Sequence, residues 1–210
     1  MKLAIFDFDS TLMDGETIDF LAKELGLEDK VAAITERAMA GELDFFDSLV
    51  ERVSLLKGLD VNLVNNICQN LPLINGAKET IESLKSQGFM VACFSGGFRN
   101  ATEPICKSLG IDADFSNYLH ERDGKLTGLV GGEMMFSDSK GKMVTRLQKL
   151  LNVKQEQTLV VGDGANDISM FKHAGVSVAF CAKPILKEAA TDIVDIKDLT
   201  EVAKIAKKIK

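Results

Sequence analysis

Two aspartates near the start of the chain have the spacing of a metal-assisted site. Asp7 and Asp9 follow a short apolar run and are two residues apart, so on extended backbone they point to the same side. Two unpaired carboxylates held this close repel each other, and a divalent cation relieves the repulsion. Magnesium prefers oxygen ligands and bridges readily to a phosphate oxygen. The pair therefore predicts magnesium-assisted phosphoryl chemistry, although an isolated pair is also typical of a solvated turn.

Two later segments supply further polar groups of the same kind. Gly162-Asp163-Gly164-Ala165-Asn166-Asp167 adds two aspartates for the same ion and an asparagine that can donate or accept hydrogen bonds. Ser95-Gly96-Gly97 offers a hydroxyl and main-chain N–H groups, which can form a nest for an anion. The acids of two separate segments together favour a shared site over independent turns.

A cation is also needed, because phosphoryl transfer develops negative charge that magnesium neutralises only in part. Lys140 and Lys142 lie at the predicted start of a helix, where a positive charge opposes the helix dipole. This unfavourable placement indicates a functional role for Lys140, whereas Lys142 is expected to be a solvated side chain.

Short apolar runs predict the strands that position these groups. The predicted strands are 3–8, 89–94, 158–161, 176–180 and 192–194, and the helical patterns between them are 77–87, 141–151 and 168–174. Strands alternating with helices imply an α/β fold, a Rossmann-like parallel sheet with helices on both faces. In such sheets ligands bind outside the carboxyl ends of the strands, where the three polar segments lie.

The region between the first strand and Pro72 has helical periodicity only. We interpret residues 14–72 as an inserted helical cap domain, and residues 1–13 and 73–210 as the core. A small β-hairpin insertion is predicted near 115–135, because Arg122-Asp123-Gly124 contains an Asp-Gly turn signal.

Composition narrows the classes of partner. The formal net charge is −6, from 25 Lys and Arg against 31 Asp and Glu, which argues against sequence-independent nucleic-acid binding. No polybasic cluster or long uncharged apolar run favours a membrane. The four cysteines form no CxxC pair and the first residues do not fit a signal peptide, so we expect reduced thiols in a cytoplasmic protein.

These motifs resemble the four signatures of the haloacid dehalogenase superfamily of phosphatases. The matching segments are Asp7-Phe8-Asp9-Ser10-Thr11, the strand end at Ser95, a lysine, and Gly162 to Asp167. Within the superfamily the chain is similar to the phosphoserine phosphatases over nearly its whole length. That closer likeness is carried by Glu16-Thr17-Ile18-Asp19, Arg52-Val53-Ser54-Leu55-Leu56-Lys57-Gly58 and Phe94-Ser95-Gly96-Gly97-Phe98.

The resemblance implies a role for each matching residue. Asp7 is the expected nucleophile, and Asp9 is the expected acid that protonates the leaving serine oxygen and then activates water. The implied magnesium ligands are Asp7, Asp9 through its main-chain carbonyl, and Asp163, with Asp167 nearby. Ser95, Gly96 and Lys140 are expected to hold the phosphoryl oxygens, and Asn166 to position the phosphoryl group or the water. The implied reaction is hydrolysis of phosphoserine through an aspartyl-phosphate, the last step of serine biosynthesis.

Recognition of phosphoserine also requires partners for its ammonium and carboxylate. Glu16 is the candidate for the ammonium, and the planar fork of Arg52 for the carboxylate. Phe45 lies seven residues before Arg52, so the two share a face of one helix. Met39 and Phe45 are candidates for shielding the site from water, although both residue types are as often part of a core.

Other functions remain open at this point. Another small phosphate ester, such as phosphohomoserine, a sugar phosphate or a nucleotide, would use the same mechanism. A receiver-like signalling module also combines acids, a hydroxyl, a lysine and magnesium, but lacks a cap of this size. A dinucleotide-binding oxidoreductase is disfavoured, because Asp167 stands where the fingerprint needs a small residue and would repel pyrophosphate. The oligomeric state is left undetermined between monomer and homodimer.

Overall fold

A seven-stranded sheet forms the centre of the structure, a computed structural model that describes residues 1–209 and only the backbone of Met39. The strands are β1 (Lys2–Asp7), β2 (Phe89–Phe98), β3 (Ala113–Arg122), β4 (Lys125–Gly132), β5 (Thr158–Gly162), β6 (Val176–Phe180) and β7 (Asp192–Val194). Their order in the sheet is β4-β3-β2-β1-β5-β6-β7.

Ten α-helices accompany the sheet in the described part of the chain. They are α1 (Thr17–Lys23), α2 (Glu28–Met39), α3 (Phe45–Ser54), α4 (Val61–Gln69), α5 (Ala77–Ser86), α6 (Arg99–Leu109), α7 (Ser139–Leu151), α8 (Ile168–Phe171), α9 (Pro184–Ala189) and α10 (Thr200–Ile205). This composition confirms the predicted α/β fold. Between residues 1 and 209, no helix has the length and apolar character needed to cross a bilayer.

The sheet is parallel except for β4, which runs antiparallel to β3. β1 lies between β2 and β5, and the chain moves outward from β1 through β2 and β3 before returning to β5 on the other side. Open parallel sheets bind ligands at the carboxyl ends of strands where the strand order reverses in this way. The topology therefore places the ends of β1, β2 and β5 side by side.

Side chains of β1 alternate between two hydrophobic layers. Ala4 and Phe6 contribute to one buried cluster, and Leu3 and Ile5 contribute to the other. The first cluster contains apolar residues of α5, α6 and α10, and it also contains residues of α1 to α4. The second cluster contains residues of α7, α8 and α9. Both faces of β1 are thus covered, which explains why this strand is a continuous apolar run.

Two details of the sheet differ from the sequence-based expectation. β2 does not end at Phe94 but continues to Phe98, with its pairing to β3 interrupted between these two residues. β3 and β4 form a hairpin with its turn at Asp123 and Gly124, both of which have positive φ. Because β3 also pairs with β2, the hairpin extends the main sheet. Pairing to a distant strand depends on long-range contacts that local turn signals do not carry.

Candidate active site

A cleft of about 590 Å³ opens at the carboxyl ends of β1, β2 and β5. One wall comes from the strand ends, and the opposite wall comes from α1, α2 and α3. Its lining includes predicted site residues from both walls: Asp7, Asp9, Glu16, Phe45, Arg52, Gly96, Asp163 and Asn166. The fold therefore brings together residues that are far apart in the sequence.

Three carboxylates meet at the base of this cleft. Asp7, Asp163 and Asp167 each place an oxygen within 4.8 Å of the oxygens of the other two. Asp7 ends β1, and Asp163 follows the last residue of β5, so the parallel strand pair sets their separation. Hard oxygen donors gathered in this way form a site that could hold a divalent metal ion.

Lys140 bridges two of the three acids. Its Nζ lies 2.7 Å from Asp7 Oδ1 and 2.6 Å from Asp167 Oδ1. All three side chains are at most 5% exposed, so water does not screen these ion pairs. The two negative neighbours raise the pKa of Lys140 and outweigh the opposing effect of burial, which keeps the ammonium charged. Lys140 thus holds its charge at the base of the site.

The carboxylates of Asp167 and Asp163 have different surroundings. Asp167 Oδ2 accepts hydrogen bonds from the main-chain N–H groups of Asp163 and Gly164, both at 3.1 Å, and its Oδ1 accepts from Lys140. A Cβ atom at Gly162 would lie 2.3 Å from Asp167 Oδ2, so only glycine leaves room for this arrangement. The Asp163 carboxylate has no hydrogen-bond partner within the described residues and lines the cleft. Asp163 is therefore the acid most in need of an external cation.

Crowding of the acids changes their protonation. Burial, followed by the charges of Asp7 and Asp167, raises the pKa of Asp163 to about 8. Burial and the charge of Asp7 raise the pKa of Asp167 to about 7. A group with a raised pKa is one whose ionised form is unfavourable where it stands, and a bound cation would reverse that preference. The donor set therefore fits a divalent cation.

These shifts predict how the stability of the metal-free protein depends on pH. An acid whose pKa rises on folding binds more protons in the native state than in the unfolded state, so rising pH lowers the free energy of unfolding. Asp163 and Asp167 should make this loss visible between about pH 4 and 8. Urea denaturation in a chelator at pH 5.5 and 8.5 measures it. Added Mg²⁺ should stabilise the protein more at pH 8.5, where fewer protons compete.

A matched variant tests the origin of this dependence. Asp163→Asn removes one titrating acid without changing its size, so it should flatten the decline in stability and weaken the effect of Mg²⁺. An unchanged pH dependence in Asp163→Asn would show that other groups cause it.

Asp9 is held away from the three acids. Its Oδ1 accepts hydrogen bonds from Thr17 N–H at 2.7 Å and Thr17 Oγ1 at 2.6 Å, and its Oδ2 accepts from Ser95 Oγ at 3.4 Å. Loss of water around the carboxyl raises its pKa to about 6, the nearby charge of Asp7 adds to this, and the hydrogen bonds from Thr17 oppose it. The Asp9 side chain is thus placed for proton transfer, a role that needs a pKa near neutrality.

Two side chains, those of Asp9 and Phe45, lie very close to the backbone of the Ser95-Gly96-Gly97 segment. A Cβ atom at Gly97 would lie 2.6 Å from Asp9 Oδ2, and one at Gly96 would lie 2.8 Å from the ring of Phe45. Ser95 Oγ accepts a hydrogen bond from Gly97 N–H at 2.9 Å. The glycines therefore allow Asp9 from one wall and Phe45 from the other to pack directly against this backbone.

The cleft also contains one acidic and one basic candidate for substrate binding, Glu16 and Arg52. Glu16 immediately precedes α1, and its Oε1 accepts a hydrogen bond from Ser10 Oγ at 2.9 Å. The surrounding protein, and next the charge of Asp9, raise the pKa of Glu16 to about 8, although the open cleft leaves its side chain accessible to water. Arg52 Nε donates to Ser48 O at 3.2 Å within α3. No partner is found for the terminal nitrogens of Arg52 in residues 1–209.

The structure thus brings most of the predicted site residues to one place. Ser95, Lys140 and Asp167 are buried side chains, and the other predicted site residues apart from Met39 line the cleft. The side chain of Met39 lies outside what the structure describes. Sequence reasoning missed Thr17, which holds Asp9, Ser10, which holds Glu16, and Lys183, which lines the cleft. A threonine at the start of the helix after the first motif was the available signal for Thr17.

Comparison with known proteins gives a consistent assignment. The family model of haloacid dehalogenase-like hydrolases matches residues 1–175. A phosphoserine phosphatase of Wolinella succinogenes is 59% identical over 202 residues, covering 96% of this chain and 98% of its own length. A phosphoserine phosphatase of Methanocaldococcus jannaschii is 49% identical over 206 residues, covering 98% of both chains.

Solved structures agree with these relatives. A phospho-aspartyl intermediate analogue of phosphoserine phosphatase superposes with a TM-score of 0.92 at 49% identity, covering 97% of this chain and 98% of its own. A substrate-bound phosphoserine phosphatase complex superposes with a TM-score of 0.92 at 48% identity, covering 97% of both chains. With this likeness added to the arrangement of acids and lysine at the strand ends, the chain belongs to the haloacid dehalogenase-like hydrolases, in the family of the phosphoserine phosphatases.

Proposed function

We propose that this chain is a magnesium-dependent phosphatase that hydrolyses O-phosphoserine to serine and phosphate, the last step of serine biosynthesis. The observation that carries the proposal is the presence of two sets of groups in one cleft. One set is Asp7 beside Lys140 and a second acid, and the other set is the carboxyl group of Glu16 and the guanidinium of Arg52. A phosphorylated amino acid has groups complementary to both sets.

Magnesium is the metal that best suits the acid cluster. Asp7 and Asp163, with the main-chain carbonyl of Asp9, would hold it, and Asp167 would support them by fixing Lys140 and the 163–164 turn. When bound, the ion polarises the phosphoryl oxygens and reduces repulsion between an anionic nucleophile and an anionic ester.

Asp7 is the proposed nucleophile. Its Oδ1 accepts hydrogen bonds from Lys140 Nζ and from Phe8 N–H, which fixes the orientation of the carboxylate. A carboxylate oxygen of Asp7 forms a bond to phosphorus while the bond from phosphorus to the serine oxygen breaks. The leaving serine oxygen takes the proton of Asp9, and the product of this step is an aspartyl-phosphate.

Asp9 then serves as the base for the second step. Having lost its proton, it takes one from a water molecule, whose oxygen bonds to phosphorus as the bond to Asp7 breaks. Asp9 is suited to both roles because its pKa of about 6 is higher than that of an ordinary carboxyl group and close to neutral pH. Both its protonated and its ionised forms are therefore accessible. Thr17 holds one oxygen of Asp9 in both steps and leaves the other oxygen near Ser95.

The remaining polar groups recognise the substrate. Ser95, the main chain at Gly96, Lys140 and Asn166 would contact the phosphoryl oxygens, where negative charge accumulates. Glu16 would bind the ammonium of phosphoserine, and Arg52 would bind its carboxylate. Phe45 packs over Gly96, where it would shield the reacting groups from water. Met39 is proposed for the same shielding role on sequence grounds.

We further propose that residues 14–72 act as a cap over the core formed by 1–13 and 73–210. The support is that α1, α2 and α3 supply one wall of the cleft while the strand ends supply the other. A cap of this kind can admit substrate and then exclude water from the reacting groups.

Phosphate release from a panel of esters tests the proposed function. The panel contains L- and D-phosphoserine, phosphohomoserine, a hexose phosphate and a nucleoside monophosphate, each with Mg²⁺ and with a chelator. We expect Mg²⁺-dependent turnover that is fastest with a phosphoserine. Preference for a sugar phosphate or nucleotide would overturn the substrate assignment and keep the chemistry, and stable phosphorylation without turnover would overturn hydrolysis.

A further inference from the structure

The hairpin formed by β3, β4 and the turn between them contains a pronounced bulge. Register passes from Glu121 opposite Leu126 to Leu119 opposite Val130, so three residues of β4 lie opposite His120 alone. Thr127 Oγ1 donates to His120 O at 3.1 Å and accepts from Leu129 N–H at 3.3 Å, which closes the bulge. Bulges of this kind bend a strand and redirect its backbone.

The bulge is directed at the end of α3. Gly128, at its centre, is buried and has a φ of +83°. A Cβ atom there would lie 3.1 Å from Ser54 O and 3.1 Å from Lys57 Cβ. Ser54 is the last residue of α3, and Arg52 is two residues before it. The hairpin backbone therefore touches the helix that carries Arg52, and the absence of a side chain at 128 sets how closely they approach.

Main-chain hydrogen bonds fasten the same helix to the hairpin. Gly58 N–H donates to Leu126 O at 2.8 Å, and Leu126 N–H donates to Leu59 O at 2.9 Å. Val61 N–H donates to Gly124 O at 3.0 Å. These bonds join the segment after α3 to β4 in the manner of a short extra strand.

The other end of α3 meets the segment that follows the hairpin. The rings of Phe46 and Phe136 stack with centroids 5.3 Å apart and planes 8° apart. Phe136 is followed by the first turn of α7, which carries Lys140. One continuous stretch, residues 124–140, thus contacts α3 at both ends and then supplies the lysine that binds Asp7.

We propose that the hairpin positions α3, so that Gly128 determines how well Arg52 recognises the amino-acid end of the substrate. This inference rests on the proposed function. Gly128 is a positioning residue, because it acts through α3 and contacts neither substrate nor reacting atoms. It should affect substrates that need Arg52 and spare those that do not.

Gly128→Ala tests the inference with two controls on the same hairpin. Gly124 also has positive φ but no atom within 4 Å of an added Cβ, so Gly124→Ala reproduces the backbone strain without the contact. Gly131 lies on β4 with open space and no positive φ, so Gly131→Ala controls for a methyl group on that strand. Kinetic constants are measured with phosphoserine and with p-nitrophenyl phosphate, and thermal melting verifies folding.

A displaced helix should reduce kcat/KM for phosphoserine by about tenfold in Gly128→Ala, mostly through a higher KM. The kcat/KM for p-nitrophenyl phosphate should change by no more than about twofold. In both control variants the ratio of the two kcat/KM values should equal that of the wild type. In an Arg52→Ala background, Gly128→Ala should no longer discriminate between the substrates. If Gly128→Ala does not fold, Thr127→Val, which opens the bulge without adding bulk, should show the same discrimination.

Equal losses on both substrates, or no loss in a folded Gly128→Ala protein, would overturn the positioning role. Discrimination that persists in the Arg52→Ala background would also overturn it. These results differ from a failure of the proposed function, in which Arg52→Ala itself would not discriminate between phosphoserine and the aryl phosphate.

Discussion

Asp7→Asn is expected to lower kcat by about 10⁴-fold or more, because an amide is too weak a nucleophile to form the acyl phosphate. The fold should persist. The Asn carbonyl has the size of the lost carboxylate oxygen and can still accept from Lys140 and Phe8 N–H, and Lys140 keeps its ion pair with Asp167. Steady-state kinetics with phosphoserine, together with circular dichroism, measures both effects.

Trapping the phosphorylated enzyme by acid quench during turnover is an independent test of Asp7 as the nucleophile. ³²P from labelled phosphoserine should remain on the wild-type protein in an acid-stable, alkali-labile form and should be absent from Asp7→Asn. Asp123→Asn, on a turn with a 94% exposed side chain, is the matched control and should retain full activity. Substantial turnover or labelling in a deamidation-free sample of Asp7→Asn would assign the nucleophile elsewhere.

Arg52→Ala should lower kcat/KM for phosphoserine by about 10²-fold, since removing one partner of a charge pair in a closed site typically costs 2–5 kcal/mol. Burial lowers the pKa of Arg52, and Glu16, Asp19 and Asp9 oppose that effect, so acidic side chains lie near its guanidinium before a substrate carboxylate arrives. A small aryl phosphate has no carboxylate, so kcat/KM for this substrate should fall only slightly. Comparison of the two substrates across pH 6–8 measures the selectivity.

Arg37→Ala is the matched control for Arg52. Arg37 forms surface ion pairs with Glu42 and Glu51, and pairs of this type contribute little to stability. It should leave both substrates unaffected. Arg52→Lys should recover part of the phosphoserine activity, because a point charge replaces a planar fork. Parallel losses on both substrates in Arg52→Ala would make Arg52 a structural residue.

Sequence patterns were sufficient to predict the centre of the sheet and the acids around it. The apolar runs before Asp7 and Asp163 locate the ends of β1 and β5, and the run before Ser95 locates the part of β2 beside them. Polar groups at the carboxyl ends of neighbouring parallel strands then share one site. The helix-start position of Lys140 indicated function for a physical reason, and the structure places its ammonium between two acids. Active-site residues that lie at the ends of parallel strands can therefore be predicted from the sequence pattern and the order of the strands.

Contacts across the cleft could not be read in the same way. For Thr17, which binds Asp9, its position at a helix start was the only local signal. The room that Gly97 leaves for Asp9 and the approach of Gly128 to Ser54 depend on how elements pack, which no local pattern records. The continuation of β2 to Phe98 was missed for a similar reason. Gly96 and Gly97 have the composition of a turn, and the close approach of Phe45 and Asp9 to them is set by distant parts of the chain.

The central place of β1 has a consequence for synthesis of the protein on the ribosome. The segment bearing Asp7 is translated before β5, yet Leu3 finds its second neighbour only in Thr158, far along the chain. Closing so large a loop is entropically costly and slow, and until then one edge of the strand stays unpaired. A nascent chain whose β5 is still inside the ribosome therefore lacks a complete active site and has an unpaired, aggregation-prone edge on β1. We expect chaperone binding to matter most during this interval.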